Sequence, residues 1–141
     1  HALVGSCAQV GKRVHLSAAA QIGGVLEPVN AAPVVIEDDV FVGALAGVFE
    51  GVRVGAGALI AAGVVLTRST PIADTVNGTW IKADERGVLT VPPGAVLVPG
   101  ARPARGAFAI ENGLKLQTPV MIRLRDPGTD PVVLLEEALR T

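Results

Sequence analysis

Two glutamates, Glu27 and Glu50, are the first candidates for chemistry in this sequence. A carboxylate held at a turn of the chain can position an amine or take its proton as a general base. Each glutamate also has a purely structural interpretation. Glu50 could be a solvated corner residue, and Glu27 could cap the backbone of its own loop, which contains Pro28, Asn30 and Pro33.

A thiol and an imidazole are the other reactive side chains of interest. Cys7 is the single cysteine, so it forms no internal disulfide, and a reducing compartment is the default. It has no recognisable partner, so we predict a buried or half-buried structural thiol rather than a nucleophile. His15 precedes an inward-pointing position and should point outward, which makes it the less favoured base. With His1 it makes two histidines, too few for a three-histidine zinc site, and we predict no metal.

An aliphatic residue at every sixth position predicts the elements that would position these groups. The residue that follows each one is usually small, which permits a tight corner. A repeat this short is typical of a solenoid whose unit is one strand and one turn. The pattern predicts an all-β fold, a left-handed parallel β-helix with triangular coils. The aliphatic series comprises Val4, Val10, Leu16, Ile22, Ile36, Val42, Val48, Val54, Ile60, Leu66 and Ile72.

The composition agrees with a narrow aliphatic core and limits the classes of partner. Half of the 141 residues are hydrophobic but only 3% are aromatic, and 17 glycines and 10 prolines indicate frequent turns. A net charge of −1 offers no basic field for nucleic acid or for an anionic membrane. The apolar run "GALIAAGVVL" is far shorter than the roughly 20 residues that span a bilayer. We therefore predict small-molecule partners and a cytoplasmic location.

Breaks in the repeat divide the chain into three parts. Residues 1–73 are predicted to form the coils, with a projecting loop at 26–35. Residues 74–100 contain a hairpin excursion, signalled by Asn77-Gly78, and a final coil. Residues 101–141 are predicted to form strands, beginning in "AFAIENGLKLQTPVMIRLRD", and a short C-terminal helix after Asp130-Pro131.

Six stretches at the corners and ends of the repeat are more specific than the repeat itself: "VGSCAQVGKRVHLS", "QIGGVLEP", "VVIEDDVFVGA", "EGVRV", "STPIAD" and "LLEEALRT". Together they resemble the tetrahydrodipicolinate N-succinyltransferases of bacterial lysine and diaminopimelate synthesis, over nearly the whole chain. The resemblance implies a homotrimer with active sites between neighbouring subunits. It also implies transfer of the succinyl group of succinyl-CoA to the amino group of 2-amino-6-oxopimelate, the acyclic hydrated form of tetrahydrodipicolinate.

The resemblance also implies an acceptor site and a donor site. Ser6, Gly23, Gly24 and Glu27 would bind the acceptor, and Glu50 is the family carboxylate that this chain keeps. The pantetheine arm of CoA would run along Ala44, Ala61, Ala62 and Gly63. Its phosphates would meet Arg68, Lys82, Arg102 and Arg105. The glycines also fit as ordinary corners, and any one of these cations fits as a solvated surface charge.

The chain departs from the family pattern at two positions. Where the family often reads "GARSEVVEG", this chain reads "GALAGVFEG", so a family glutamate with a catalytic role falls at Gly47 and an arginine at Leu45. The departure leaves two alternatives open. Residues 33–66 are nearer to tetrahydrodipicolinate N-acetyltransferases, which use acetyl-CoA, although that branch ends soon after its last coil. The other alternative is a non-catalytic trimeric β-helix core.

A second catalytic group of the family would lie outside this sequence. The family aspartate belongs to a "DEGTMVD" stretch that would precede His1, as would the N-terminal helical domain. We therefore expect the chain to be a fragment that does not catalyse the reaction by itself.

Overall fold

The computed structural model describes residues 1–25, 32–126, 128, 136, 137 and 140. Ten short strands occupy the repeat, and each carries one of its aliphatic residues. They are β1 (Leu3–Val4), β2 (Gln9–Val10), β3 (His15–Leu16), β4 (Gln21–Ile22), β5 (Val35–Ile36), β6 (Phe41–Val42), β7 (Gly47–Val48), β8 (Val52–Val54), β9 (Leu59–Ile60) and β10 (Val65–Leu66).

Each strand from β1 to β7 pairs in parallel with the strand three places further on. The first sheet is β1-β4-β7-β10, and the second contains β2-β5-β8 and the third β3-β6-β9. Three strands therefore make one coil, and each coil hydrogen-bonds to the next. The prediction of an all-β fold built from parallel hexapeptide coils is confirmed at this level.

The sixfold aliphatic residues form the core from the second coil onward. Ile22, Ile36 and Val42 are buried, as are the later members of the series up to Ile72. Val4 and Val10, by contrast, are 53% and 39% exposed. They belong to the first coil, which has a neighbouring coil on only one side in this structure.

Two separate requirements shape each corner. At most corners the residue after the aliphatic position is small because the next coil passes directly over it: a Cβ added to Gly43 would lie 2.5 Å from the backbone nitrogen of Ala62. Two residues further on, the backbone is left-handed, with φ of 64° at Cys7, 58° at Leu45 and 76° at Gly51. L-residues reach this conformation at an energetic cost.

The last coil is interrupted by an excursion. After β10 the chain forms the antiparallel pair β11 (Ile72–Asp74) and β12 (Thr79–Ile81) around Asn77 and Gly78. It then returns to the solenoid as β13 (Leu89–Val91), which pairs with β8. Strand β11 does not extend the second sheet, because it pairs with a later strand instead of with β8. Ile72 on β11 is nevertheless buried.

A long hairpin closes the described fold. Strand β14 (Ala95–Pro103) continues the third sheet beside β9 and then runs beyond it, paired with the antiparallel strand β15 (Lys115–Leu124). Between them lies the short helix α1 (Ala107–Glu111). The sequence predicted strands from Ala107 onward, and that is wrong for these five residues.

Two predicted elements fall partly outside the described residues. The loop predicted at 26–35 includes residues 26–31, about which the structure says nothing, and Val35 already belongs to β5. Of the C-terminal helix, only Glu136 and Glu137 are described, and both have helical backbone. In the described part of the chain, no helix has the length and apolar character needed to cross a membrane.

Candidate functional site

Three of the four residues predicted to bind an acceptor, Ser6, Gly23 and Gly24, lie along one corner of the solenoid, between the first and second sheets. We call it the Ser6 corner, and it consists of residues 5–7, 23–25, 49–51 and 67–69 of successive coils. Its register is set by backbone hydrogen bonds between coils: Gly5 N donates to Ile22 O at 2.8 Å and Gly23 N donates to Val48 O at 2.8 Å.

Ser6 and Gly24 are in direct contact at this corner. A Cβ added to Gly24 would lie 2.6 Å from the Ser6 nitrogen and 2.9 Å from Ser6 Oγ. Val25 N donates to Ser6 O at 3.1 Å. The absent side chain at Gly24 therefore lets the exposed Ser6 hydroxyl lie against the next coil.

Phe49 covers the next coil of the Ser6 corner. Its ring lies over two glycines, since a Cβ on Gly23 would be 2.9 Å from Phe49 Cδ1 and a Cβ on Gly47 would be 2.7 Å from Phe49 Cε2. Phe49 carries no sequence signal of its own for a role at this corner. The signal that could have found it is its place between two residues that the resemblance had already singled out.

Glu50 follows Phe49 and is half-buried at the corner. Gly51, the next residue, contacts the last coil at this corner. A Cβ on Gly51 would lie 2.9 Å from Arg68 Cβ. Ser6, Gly24, Glu50 and Arg68 thus occupy equivalent places on four successive coils. Glu27 lies outside the described residues.

The four small residues predicted along the pantetheine arm lie at a different corner, between the third and first sheets. Gly63 N donates to Ala44 O at 3.0 Å and Ala61 N donates to Leu97 O at 2.9 Å. Ala62 and Gly63 are exposed and Ala61 is buried. The structure therefore brings these residues together as a strip of backbone with small side chains.

The four cationic residues that the sequence places as phosphate ligands line one cleft of about 690 Å³, which we call the basic cleft. Its lining contains no acidic residue and consists of Arg68, Ser69, Pro71, Lys82, Ala83, Arg102, Ala104, Arg105 and Leu116. Within the described residues, none of the four cations forms a salt bridge. The buried Nε of Arg102 also has no hydrogen-bond partner there. Such a cleft is suited to an anion that brings several acceptor oxygens.

The walls of the basic cleft come from elements far apart in the chain. Arg68 follows β10, Lys82 follows β12, and Arg102 lies on β14. A hydrogen bond from Thr118 on β15 joins this strand to the segment after β10. The buried Oγ1 of Thr118 donates to Pro71 O at 2.6 Å. Gln117 Nε2 donates to Val65 O at 3.3 Å across the same junction.

The hexapeptide repeat is also found by comparison with known proteins. A family model described as the hexapeptide repeat of succinyl-transferase matches residues 33–68. The 2,3,4,5-tetrahydropyridine-2,6-dicarboxylate N-succinyltransferase of Rhodopseudomonas palustris is 46% identical over 137 residues, which is 97% of this chain and 47% of the relative. The proteins of the same name from Bradyrhizobium diazoefficiens and Nitrobacter winogradskyi are 45% and 44% identical, over 99% and 97% of this chain and 47% of each relative.

This chain is a homologue of the C-terminal part of these succinyltransferases. It spans about half the length of the relatives that it matches. The resemblance recognised from the corner motifs is therefore confirmed.

The two departures from the succinyltransferase pattern have different surroundings. Gly47 is buried, and the ring of Phe49 lies where a side chain on it would extend. Leu45 is 71% exposed and has a left-handed backbone. The positions where the resemblance implies a glutamate and an arginine thus hold a covered glycine and a solvent-facing leucine.

Cys7 and His15 lie outside the basic cleft, and the prediction for Cys7 is wrong. Its thiol is exposed, and Cys7 lies at a left-handed corner of the first coil, with φ of 64°. His15 points outward as predicted. Its ring stacks on Phe41 with centroids 4.5 Å apart, and its Nε2 lies 3.1 Å from Ser17 Oγ. Among the described residues, no three His, Cys, Asp or Glu side chains are grouped so that they could hold a metal ion.

Proposed function

We propose that this chain is the CoA-binding, β-helical part of a tetrahydrodipicolinate N-succinyltransferase. In the proposed reaction, the amino nitrogen of 2-amino-6-oxopimelate attacks the thioester carbonyl of succinyl-CoA. A C–N bond forms, the C–S bond breaks, CoA leaves as the thiol, and the amine loses one proton. The observation that carries the proposal is the basic cleft, in which four cations from distant segments meet without an acidic neighbour in its lining.

The basic cleft would hold the phosphates of CoA. CoA carries its negative charge on a diphosphate and a 3′-phosphate, so it can engage several guanidinium and ammonium groups at once. The strip formed by Ala44, Ala61, Ala62 and Gly63 would let the pantetheine arm run close to the backbone. This arrangement would direct the thioester away from the charged end of the molecule.

The Ser6 corner would hold the acceptor. The Ser6 hydroxyl and the backbone at Gly23 and Gly24 would contact an acceptor carboxylate. Glu50 is the carboxylate of this corner within the described residues, and it would position the amine or take its proton. Glu27 would supply a second carboxylate.

We also propose a hand, a cross-section and an assembly for the solenoid. The coils would wind with a left hand and a triangular cross-section, as the hexapeptide pattern predicts. Three copies would form a homotrimer with active sites between subunits, in the cytoplasm. The coils would comprise residues 1–73. The excursion with the final coil would comprise residues 74–100, and the C-terminal extension residues 101–141.

Release of free thiol tests the proposed reaction. Turnover is measured on the natural protein that carries this chain, with succinyl-CoA and acetyl-CoA as parallel donors. We expect thiol release with succinyl-CoA that depends on the acceptor. Turnover with acetyl-CoA alone would instead support the acetyl-transferring alternative, and no turnover with either donor would support the non-catalytic core.

Direct binding tests the donor site on the chain itself. Changing Arg105 to Gln in the basic cleft should weaken CoA binding about tenfold, and the loss should shrink as salt is raised, because exposed charge interactions are screened. Lys12→Gln is the matched control, since Lys12 is an exposed cation on the first coil outside the cleft. Equal affinities for the two variants would contradict the assignment.

A further inference from the structure

Trp80 is a large aromatic residue on the exposed face of the excursion hairpin. It lies on β12 opposite Ala73 of β11, on the face of the hairpin away from the core, while Ile72 and Ile81 pair on the other face. The small Ala73 cannot cover an indole, and Trp80 is 48% exposed. A large aromatic surface is therefore left in contact with solvent, and burying it would be favourable.

A hollow of about 210 Å³ adjoins this ring. Its lining consists of Pro71, Trp80, Lys82, Arg102, Pro103 and Arg105. Four of these six residues also line the basic cleft, so the hollow and the cleft are neighbours with a shared wall. The structure thus places a flat aromatic and two prolines beside the same cations.

This combination matches the chemistry of a nucleotide. A purine base stacks on an aromatic side chain through its π-face, which needs no particular hydrogen bonds. The phosphates of the same molecule would then fall among Lys82, Arg102 and Arg105. The unpartnered Nε of Arg102, judged within the described residues, is a donor that such an acceptor would satisfy.

We propose that Trp80 stacks on the adenine of CoA and is the residue that makes the donor site selective for a nucleotide-bearing thioester. The choice of CoA among adenine nucleotides rests on the proposed function. Lys82 and Arg105 flank the base and hold the phosphates of the adenosine 3′,5′-bisphosphate moiety. Trp80 binds and orients the donor, and it takes no part in the acyl transfer.

Fluorescence gives a direct test, because the chain has one tryptophan and no tyrosine. Indole emission therefore reports on Trp80 alone. We expect saturable quenching by CoA and by adenosine 3′,5′-bisphosphate, and little quenching by 4′-phosphopantetheine or inorganic phosphate. Equal quenching by inorganic phosphate, or none by the bisphosphate, would overturn the stacking assignment.

Calorimetry on variants separates stacking from general effects. Trp80→Leu should weaken binding of adenosine 3′,5′-bisphosphate about tenfold or more, and Trp80→Phe should keep most of the affinity. Phe108→Leu is the control, since Phe108 is an aromatic on α1 that is 73% exposed and does not line the hollow. Circular dichroism of each variant verifies folding. An unchanged affinity in a folded Trp80→Leu protein would overturn the proposal.

The nucleotide series and the turnover assay distinguish failure of this inference from failure of the proposed function. Adenosine 3′,5′-bisphosphate should bind more tightly than 5′-ADP, and the reverse order would overturn the assignment to CoA. Quenching without succinyl transfer would leave Trp80 as a base-binding residue while the proposed function fails. If succinyl transfer occurs and the KM for succinyl-CoA is the same in Trp80→Leu as in the unaltered protein, the proposed function stands and this inference alone is overturned.

Discussion

The ring of Phe49 occupies the space that a side chain on Gly47 would need. A Cβ on Gly47 would lie 2.7 Å from Phe49 Cε2 and 3.1 Å from Phe49 Cζ. Gly23 holds the opposite edge of the ring, so the aromatic is seated between two coils. The glycine and the phenylalanine therefore form a steric pair, in which the ring fills the space left by the missing side chain at position 47.

Gly47→Ala should destabilise the fold by about 1 kcal/mol, because the added methyl overpacks against the ring. Gly47 does not have a left-handed backbone, so the cost comes from packing and not from conformation. The melting temperature checks the effect. The double variant Gly47→Ala, Phe49→Val should recover the loss relative to Phe49→Val alone. A full penalty for Gly47→Ala in the Phe49→Val background would contradict the pairing.

Gly51→Ala and Gly57→Ala form a matched pair at equivalent corners, with φ of 76° and 68°. Nothing lies within 4 Å of a Cβ on Gly57, whereas a Cβ on Gly51 would lie 2.9 Å from Arg68 Cβ and 3.0 Å from Gly87 O. Earlier coils hold Cys7 and Leu45 at this place, so the conformation itself is tolerated.

Both variants should share a conformational cost of about 1 kcal/mol, and Gly51→Ala should lose about 1–3 kcal/mol more by overpacking. Gly51→Ala should also weaken CoA binding, because it displaces Arg68 in the basic cleft. Equal melting temperatures for the two variants would show that the contact with Arg68 has no energetic weight.

The coils could be predicted from the sequence because each one repeats the same local requirements. An aliphatic side chain must point inward at every sixth position, and a small residue usually follows it where the next coil passes closely. Gly43 under Ala62 shows this requirement directly. These constraints act within and between neighbouring repeats, so periodicity alone is enough to locate the three parallel sheets.

The walls of the basic cleft could not be predicted from periodicity. They form because Thr118 on β15 contacts Pro71, 47 residues earlier, and because β11 pairs with β15. The resemblance pointed to Arg68 and Arg105 individually, but only the fold shows that they share a cleft. Trp80 belongs neither to the sixfold aliphatic series nor to any of the six corner and end motifs. Its place beside those cations is therefore visible only in the structure.

Thr118→Val removes the hydroxyl that ties β15 to the last coil, with almost no change in side-chain volume. The carbonyl of Pro71 would lose a buried donor, which costs about 1–3 kcal/mol. We expect a lower melting temperature and weaker CoA binding, because the cleft wall would be less firmly held. Thr90→Val, at an exposed position on β13, is the control and should leave both quantities unchanged. Unaltered stability of Thr118→Val would contradict the role of this bond.

Asp74 gives the excursion a pH dependence. Its Oδ2 accepts from Asn77 Nδ2 at 2.8 Å, and its Oδ1 accepts from the backbone N–H groups of Val76 and Asn77 at 3.0 Å. These bonds, led by the Asn77 side chain, lower the pKa of Asp74 below its ordinary 3.8, although burial acts in the opposite direction. Because folding lowers this pKa, the stabilisation is complete above the unfolded value of about 3.9 and is lost as pH falls through the folded value.

Asp74→Asn removes this titration while keeping an oxygen that accepts from the two backbone N–H groups. Melting temperature followed from about pH 5 to about pH 2 should therefore fall less steeply in the variant. Some slope should persist, because Arg53 and Arg13 also lower the pKa values of Glu37 and Asp39. Glu111→Gln on α1 controls for the loss of one negative charge. Parallel curves for Asp74→Asn and the unaltered protein would contradict the assignment.

Glu50→Gln tests the remaining carboxylate of the Ser6 corner. The amide keeps the size of the side chain but cannot take a proton, so turnover with succinyl-CoA should fall about a hundredfold or more if Glu50 is the general base. CoA affinity should not change, because Glu50 does not line the basic cleft. Glu85→Gln, an exposed carboxylate in the turn after β12, is the matched control. Undiminished thiol release by Glu50→Gln would remove Glu50 from the chemistry and favour Glu27.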